Sequence, residues 1–209
     1  MAEFLTSADK RSFYCGQVPE SAIGEKVCVM GWVQRQRDLG ALIFIDLRDR
    51  TGMVQLAFDD ATDREVFKKA FSCRAEHVLC VHSTVRERGE GAKNPNLATG
   101  NIEIYVESMK VLSAAQTPPI EVNDAKKVKD EVALKYRYID LRRPELQRNI
   151  RMRHEIARVA REYYYENGFY EIETPMMIKS TPEGARDYLV PSRILKGSFY
   201  ALPQSPQIY

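Results

Sequence analysis

The spacing of apolar residues changes character near residue 115, and every further reading of this 209-residue chain depends on that change. Before it, apolar side chains recur at every second position in short runs; after it, they recur at helical spacing. Val27, Val29, Gly31 and Val33 share one parity. Ile43, Ile45 and Leu47 share another, with Leu42, Phe44 and Asp46 pointing the opposite way. Val54, Leu56 and Phe58 make a third run. Asp49-Arg50-Thr51-Gly52 reads as the turn between the second and third runs, with Gly52 free to take a positive φ. Thr62 and Glu65 have capping-box spacing ahead of Val66, Phe67, Ala70 and Phe71, which predicts a helix. Residues 77–85 and 102–111 read as two more strands.

The order is therefore three strands, a helix and two strands, which predicts an all-β, five-stranded OB-fold barrel over residues 1–115. Gln116-Thr117-Pro118-Pro119 and the charged stretch 123–131 predict a stiff linker over 116–135. The remainder, 136–209, opens with a long helix. Pro144 suits its first turn, and Leu146, Ile150, Ala157, Ala160 and Tyr164 form a stripe that Ile156, Val159 and Tyr163 widen. Gly168 suits its stop, residues 169–174 alternate like a strand ending at Pro175, and Phe199–Leu202 reads as another strand. The sequence ends at Tyr209 soon after that strand, as expected of a piece of a longer protein.

Lys and Arg number 31 against 29 Asp and Glu, a formal charge of +2, so any nucleic-acid contact needs a local patch. No apolar run approaches the ~18 residues of a membrane span, and the N-terminus lacks a basic-then-apolar leader. Cys15, Cys28, Cys73 and Cys80 have no CxxC spacing and read as reduced core thiols of a cytoplasmic protein. His77, His82 and His154 read as structural, so no metal site is predicted.

Phe44 is opposite in parity to its apolar neighbours, as Gln55 and Glu103 are to theirs, so all three should face outward. With Arg35 and Arg37 close by, they have the makings of a single-strand base reader: a ring to stack, guanidiniums for phosphate, an amide and a carboxylate for base edges. The competing reading packs Phe44 under a loop and leaves the arginines solvated. From Lys135 to Arg161, nine basic residues face Asp140, Glu145 and Glu155, which suits either a phosphate-tracking face or a salt-bridged helix. The 181–187 loop has no nucleophile–base pattern, and no glycine loop of the phosphate-cradling kind occurs.

Several segments closely resemble the bacterial-type aspartyl-tRNA synthetases. They are Gly31-Trp32-Val33, Arg37-Asp38-Leu39-Gly40, residues 43–49, Tyr136–Pro144 (YRYIDLRRP), residues 181–193 (TPEGARDYLVPSR) and Gln204-Ser205-Pro206-Gln207. The resemblance implies an OB-fold anticodon-binding domain, then the start of an α+β class II synthetase catalytic domain with an antiparallel sheet and a motif 1 helix. It implies activation of L-aspartate with ATP and Mg2+, transfer to aspartate tRNA, and a homodimer with Pro175 at its interface. Glu183, Ser205 and Gln207 match aspartate-binding positions; Phe44 matches a base-stacking ring; Gln55 and Glu103 match base-edge readers; Arg35 and Arg37 match anticodon-loop contacts. Leu39 lies near a position linked to the choice between aspartate tRNA and asparagine tRNA, and fits the strict form. The arginine-bearing motifs 2 and 3 would lie beyond Tyr209, so no catalytic residue and no firm ATP or Mg2+ site is expected within this stretch. This chain should then bind tRNA without catalysing, and its motif 1 helix should expose Ile156, Val159 and Tyr163. The alternative is a stand-alone OB-type single-stranded nucleic-acid-binding module. An asparaginyl enzyme is disfavoured by Ala185-Arg186-Asp187.

Overall fold

A computed structural model describes residues 2–122, 128–180, 186–202 and 205. Strands β1 (Lys26–Asp38), β2 (Ile43–Arg48), β3 (Met53–Phe58), β4 (Val78–Glu87) and β5 (Ile102–Ser113) close into a barrel in the order β1-β2-β3-β5-β4. The β3–β5 pairing is parallel and the others are antiparallel. Helix α1 (Arg64–Ser72) connects β3 to β4. The predicted OB-fold order is the observed one.

Alternation is what builds the barrel core. Ile43, Ile45, Leu47, Val54, Leu56 and Phe58 have no measurable exposure, and Val29, Leu79, Val81, Ile102 and Ile104 meet them inside. Each such buried side chain contributes roughly 1.5–3 kcal/mol of transfer free energy. The two hairpins close as their turn residues require. Gly40 takes φ +83 and its N–H donates to the Asp38 carboxylate, while Gly52 takes φ +150 after Asp49 has accepted from the Thr51 N–H and hydroxyl. A Cβ on Gly31 would run into the Arg48 carbonyl, so the close approach of β1 to β2 there requires glycine.

The capping box does not form. The cap of α1 is Asp63, whose carboxylate accepts from the N–H groups of Glu65 and Val66. Thr62 instead turns back, its hydroxyl accepting from the Asp59 N–H. Both residues have capping chemistry, and the one nearer the first helical turn takes the role.

By compactness the chain divides into residues 1–146 and 147–209. The first unit contains, besides the barrel, the short helices α2 (Asp130–Lys135) and α3 (Arg137–Asp140). Asp140 is buried, accepting from Arg137 and Arg143. Just beyond it, the Arg142 guanidinium lies 5.5 Å from the Trp32 ring and 3.6 Å from the Glu76 carboxylate.

Helix α4 (Pro144–Glu166) starts on the predicted proline and stops before Gly168, at φ +80. In the second unit, β6 (Tyr188–Pro191) pairs antiparallel with β7 (Phe199–Leu202), and Ile178 bridges Ala201. The strand expected over 169–174 is absent: those residues join no ladder among the described residues, and Phe169, Tyr170 and Ile172 are exposed. Alternation supplies two faces, but a strand also needs a neighbour, and no described residue pairs with this segment. As expected, Ile156, Val159 and Tyr163 on α4 are exposed, at 63, 54 and 63%.

Candidate nucleic-acid interface

The outer face of the barrel is set by a bulge in β1. Val33 pairs with Leu47, yet Arg35 pairs with Asp46, so Gln34 is an extra residue. A one-residue insertion flips the parity of everything after it. Continued alternation from Val33 would send Arg35 and Arg37 into the core. The bulge instead turns both outward, opposite Asp46 and Phe44, and sends Gln36 inward, where its amide donates to the carbonyls of Ala70 and Phe71 at the end of α1.

Outward-facing polar side chains then join across all five strands. Arg37 of β1 donates to Asp46 of β2 at 3.1 Å and to the Gln55 carbonyl of β3 at 2.9 Å. The Gln55 amide donates to Glu103 of β5 at 2.9 Å, and Arg86 of β4 donates to the other Glu103 oxygen at 2.7 Å. Phe44 is half-buried beside this network, outside the core cluster, with the Arg37 guanidinium 5.5 Å from its ring. Arg86 stands 4.6 Å over the Tyr105 ring in the same way. A ring flanked by a guanidinium is a stacking platform with phosphate attraction beside it.

Gln55 and Glu103 require a correction. They lie on the outer face, as parity predicted, but each is only 8% exposed, because Arg37 and Arg86 fold over them. Both ends of the Gln55 amide are engaged, so a base edge reaches this pair by joining or replacing these hydrogen bonds. Capacity remains, since Glu103 has further lone pairs and the Gln55 amide a second hydrogen. Arg35 is exposed and forms no ion pair among the described residues.

Arg88, just past β4, is a residue that sequence reasoning missed. It is 4% exposed, its Nε donates to the Ile102 carbonyl at 2.7 Å, and one terminal nitrogen has no partner among the described residues. Burial weakens its hold on its proton. The Arg37 Nε is orphaned too. Arg35, Arg37, Arg86 and Arg88 thus outnumber the carboxylates Asp46, Asp59 and Glu103 by one, giving a local cationic patch on a nearly neutral chain. Parity after Val85 was the available signal for Arg86 and Arg88.

The Arg35 patch should show itself in salt dependence. Arg35→Ala is expected to flatten the slope of log affinity against log salt for a single-stranded RNA by roughly 0.7, the weight of one phosphate contact. An unchanged slope would exclude a phosphate contact at Arg35.

Of the three residues matched to aspartate binding, Ser205 is described and half-buried, whereas Glu183 and Gln207 lie outside the described residues. Leu39, in the β1–β2 turn, is 67% exposed, and Pro175 is exposed.

Residues 27–112 match the family model for the OB-fold nucleic acid binding domain, and residues 129–209 the model for class II tRNA synthetases (D, K and N). The chain is 56% identical over 200 residues to an aspartate–tRNA ligase of Ruminiclostridium cellulolyticum, covering 96% of this chain and 34% of that protein. It is 54% identical over 201 residues to an aspartate–tRNA(Asp/Asn) ligase of Symbiobacterium thermophilum, with the same coverage of each. The chain thus spans about a third of the length of the curated relatives it matches. Among solved structures, the asparaginyl-tRNA synthetase of Pyrococcus horikoshii complexed with asparaginyl-adenylate superposes with a TM-score of 0.79 at 26% identity, over 94% of this chain and 43% of that one. An aspartyl-tRNA synthetase from Entamoeba histolytica superposes at 0.71 and 19% identity, over 81% of this chain and 40% of that one, a likeness of fold.

Proposed function

We propose that this chain belongs to the class II tRNA synthetases of the aspartyl, lysyl and asparaginyl group and forms the anticodon-binding portion of an aspartate–tRNA ligase. In this reading the barrel's outer face takes the anticodon loop of aspartate tRNA. Phe44 stacks on a base, Gln55 and Glu103 read base edges, and Arg35 and Arg37 meet phosphates. The observation that carries the proposal is the hydrogen-bonded chain Asp46–Arg37–Gln55–Glu103–Arg86 laid beside a half-buried phenylalanine.

The complete protein would activate L-aspartate with ATP and Mg2+. Glu183, Ser205 and Gln207 would hold the aspartate, and residues beyond Tyr209 would hold the triphosphate. Adenylate formation needs cationic stabilisation of the developing phosphate charge, which positioning of aspartate alone does not supply. The exposed Ile156, Val159 and Tyr163 of α4, with Pro175, would meet a second copy in a homodimer. Leu39, exposed in its turn, would bias the enzyme towards aspartate tRNA alone. Such an enzyme would work in the cytoplasm, and no helix among the described residues is long and apolar enough to cross a membrane.

The proposal is tested by two measurements on the 209-residue chain. Gln55→Ala and Glu103→Gln are expected to change the ranking among anticodon hairpins that differ by one base, since edge contacts discriminate and phosphate contacts do not. Aspartate-dependent ATP–pyrophosphate exchange is expected to be absent. Equal weakening towards every hairpin would remove the readout role, and exchange activity would show that the chain holds the triphosphate after all.

A further inference from the structure

Away from the nucleic-acid face, the outer surface of β1 and β4 contains a second cluster. Cys28 stands directly across the ladder from His82, and Cys80 lies two pairs along, opposite Met30. All three side chains therefore share a face, and their ligand atoms lie within 4.8 Å of one another. The N-terminal segment covers them: Ser12 exchanges hydrogen bonds with the Cys28 backbone, and the Asp9 carboxylate reaches the cluster from above. One Asp9 oxygen, Oδ1, is 2.8 Å from His82 Nε2 and 3.8 Å from Cys80 Sγ. The other, Oδ2, is held by Lys110 and Thr6, which fixes the direction in which Oδ1 points.

We propose that Cys28, Cys80 and His82 hold a thiophilic divalent cation of the Zn2+ class, with Asp9, whose Oδ1 already bonds His82, moving in as the fourth ligand of a tetrahedral site. The Cys28–Cys80 Sγ separation is 3.7 Å. Two thiolates bound to one tetrahedral metal at about 2.3 Å would stand about 3.8 Å apart, so the sulfurs are already spaced as ligands. Two sulfurs, an imidazole nitrogen and a carboxylate oxygen are a donor set that favours Zn2+ over Mg2+ or Ca2+. Charge closes as well: two thiolates, the Asp9 carboxylate, the Lys110 ammonium and a dication sum to zero, with His82 neutral. Binding releases both thiol protons, the His82 proton moves from Nε2 to Nδ1, and the His82–Asp9 hydrogen bond gives way to a metal bond at each atom. Lys110 and Thr6 remain as the outer partners that orient the carboxylate. The sequence shows no metal signature because the ligands come from positions 9, 28, 80 and 82 and meet only through the strand ladder.

The test is a titration of the reduced 209-residue chain with Co2+ alone. One equivalent is expected to bind with thiolate-to-cobalt charge transfer, the intense visible bands of tetrahedral cobalt and release of two protons, and Zn2+ is expected to displace it. Cys80→Ser should weaken Co2+ binding by at least about 100-fold. His82→Gln, at a side chain that is 35% exposed, should weaken binding and shift the bands while circular dichroism and Trp32 fluorescence stay those of the parent chain. Weak octahedral bands, charge transfer of unchanged intensity and affinity in Cys80→Ser, or no binding by a correctly folded chain would each overturn the proposal.

Discussion

Glu76→Ala is expected to destabilise the barrel by about 3 kcal/mol, the lower end of the range for breaking a buried ion pair. Glu76 is 9% exposed and accepts a hydrogen bond from Arg48, whose side chain is 14% exposed. Burial already weakens the hold of Arg48 on its proton, and Glu76 is the group that offsets this. Removing the carboxylate leaves a guanidinium with no counter-charge in a low-dielectric pocket. One Arg48 nitrogen already lacks a hydrogen-bond partner among the described residues. The residue also sits at φ +66, in the turn that docks on β1 through the hydrogen bonds Glu76 N–H to Val33 and Val33 N–H to His77. The protein therefore tolerates a left-handed non-glycine backbone here in order to place this carboxylate. Urea unfolding followed by Trp32, the single tryptophan, reads the effect within the barrel unit. Adding Arg48→Met to Glu76→Ala should recover a large part of the loss, because it removes the orphaned charge. A double variant as unstable as the single one would mean that the carboxylate acts through the turn and not through the ion pair.

Phe44→Ala is expected to weaken binding of an anticodon hairpin by ~1–3 kcal/mol, or roughly 5–150-fold, the worth of one stacked base. A phenylalanine in a core costs ~3–5 kcal/mol of stability when truncated, but Phe44 is half-buried and outside the core cluster, so its loss should cost well under that. Hairpin binding and urea unfolding of the same variant separate the two roles. Unchanged RNA affinity, or a core-sized loss of stability, would remove Phe44 from the interface.

The barrel was legible because its core obeys a period of two. Ile43, Ile45, Leu47, Val54, Leu56 and Phe58 all went where their parity sent them. The nucleic-acid face was legible in its residue types but not in its wiring. Nothing in Val33-Gln34-Arg35-Gln36-Arg37 announces a bulge, yet the bulge alone brings Arg37 out over Phe44 and Gln55. Arg86 and Arg88 join that face from β4 and its exit: parity after Val85 points them outward, but barrel closure sets which groups they meet. The same holds for Cys28, Cys80 and His82, neighbours only across the β1–β4 ladder. The 169–174 segment fails for the opposite reason: its pattern is right, and no described partner strand is there to complete it.

The proposed function turns on whether the outer face of the barrel binds unstacked bases. It is tested most directly by comparing the affinity of the 209-residue chain for two hairpins with the same stem, one with an open anticodon loop and one with that loop closed by base pairing, at fixed salt. Stacking on Phe44 and edge contact with Gln55 and Glu103 require free bases, so the open loop should bind at least about tenfold more tightly, and Phe44→Ala should abolish most of the difference. Equal affinity for the two hairpins, unchanged by Phe44→Ala, would show that the arginine patch attracts phosphate without reading bases, and would contradict the account.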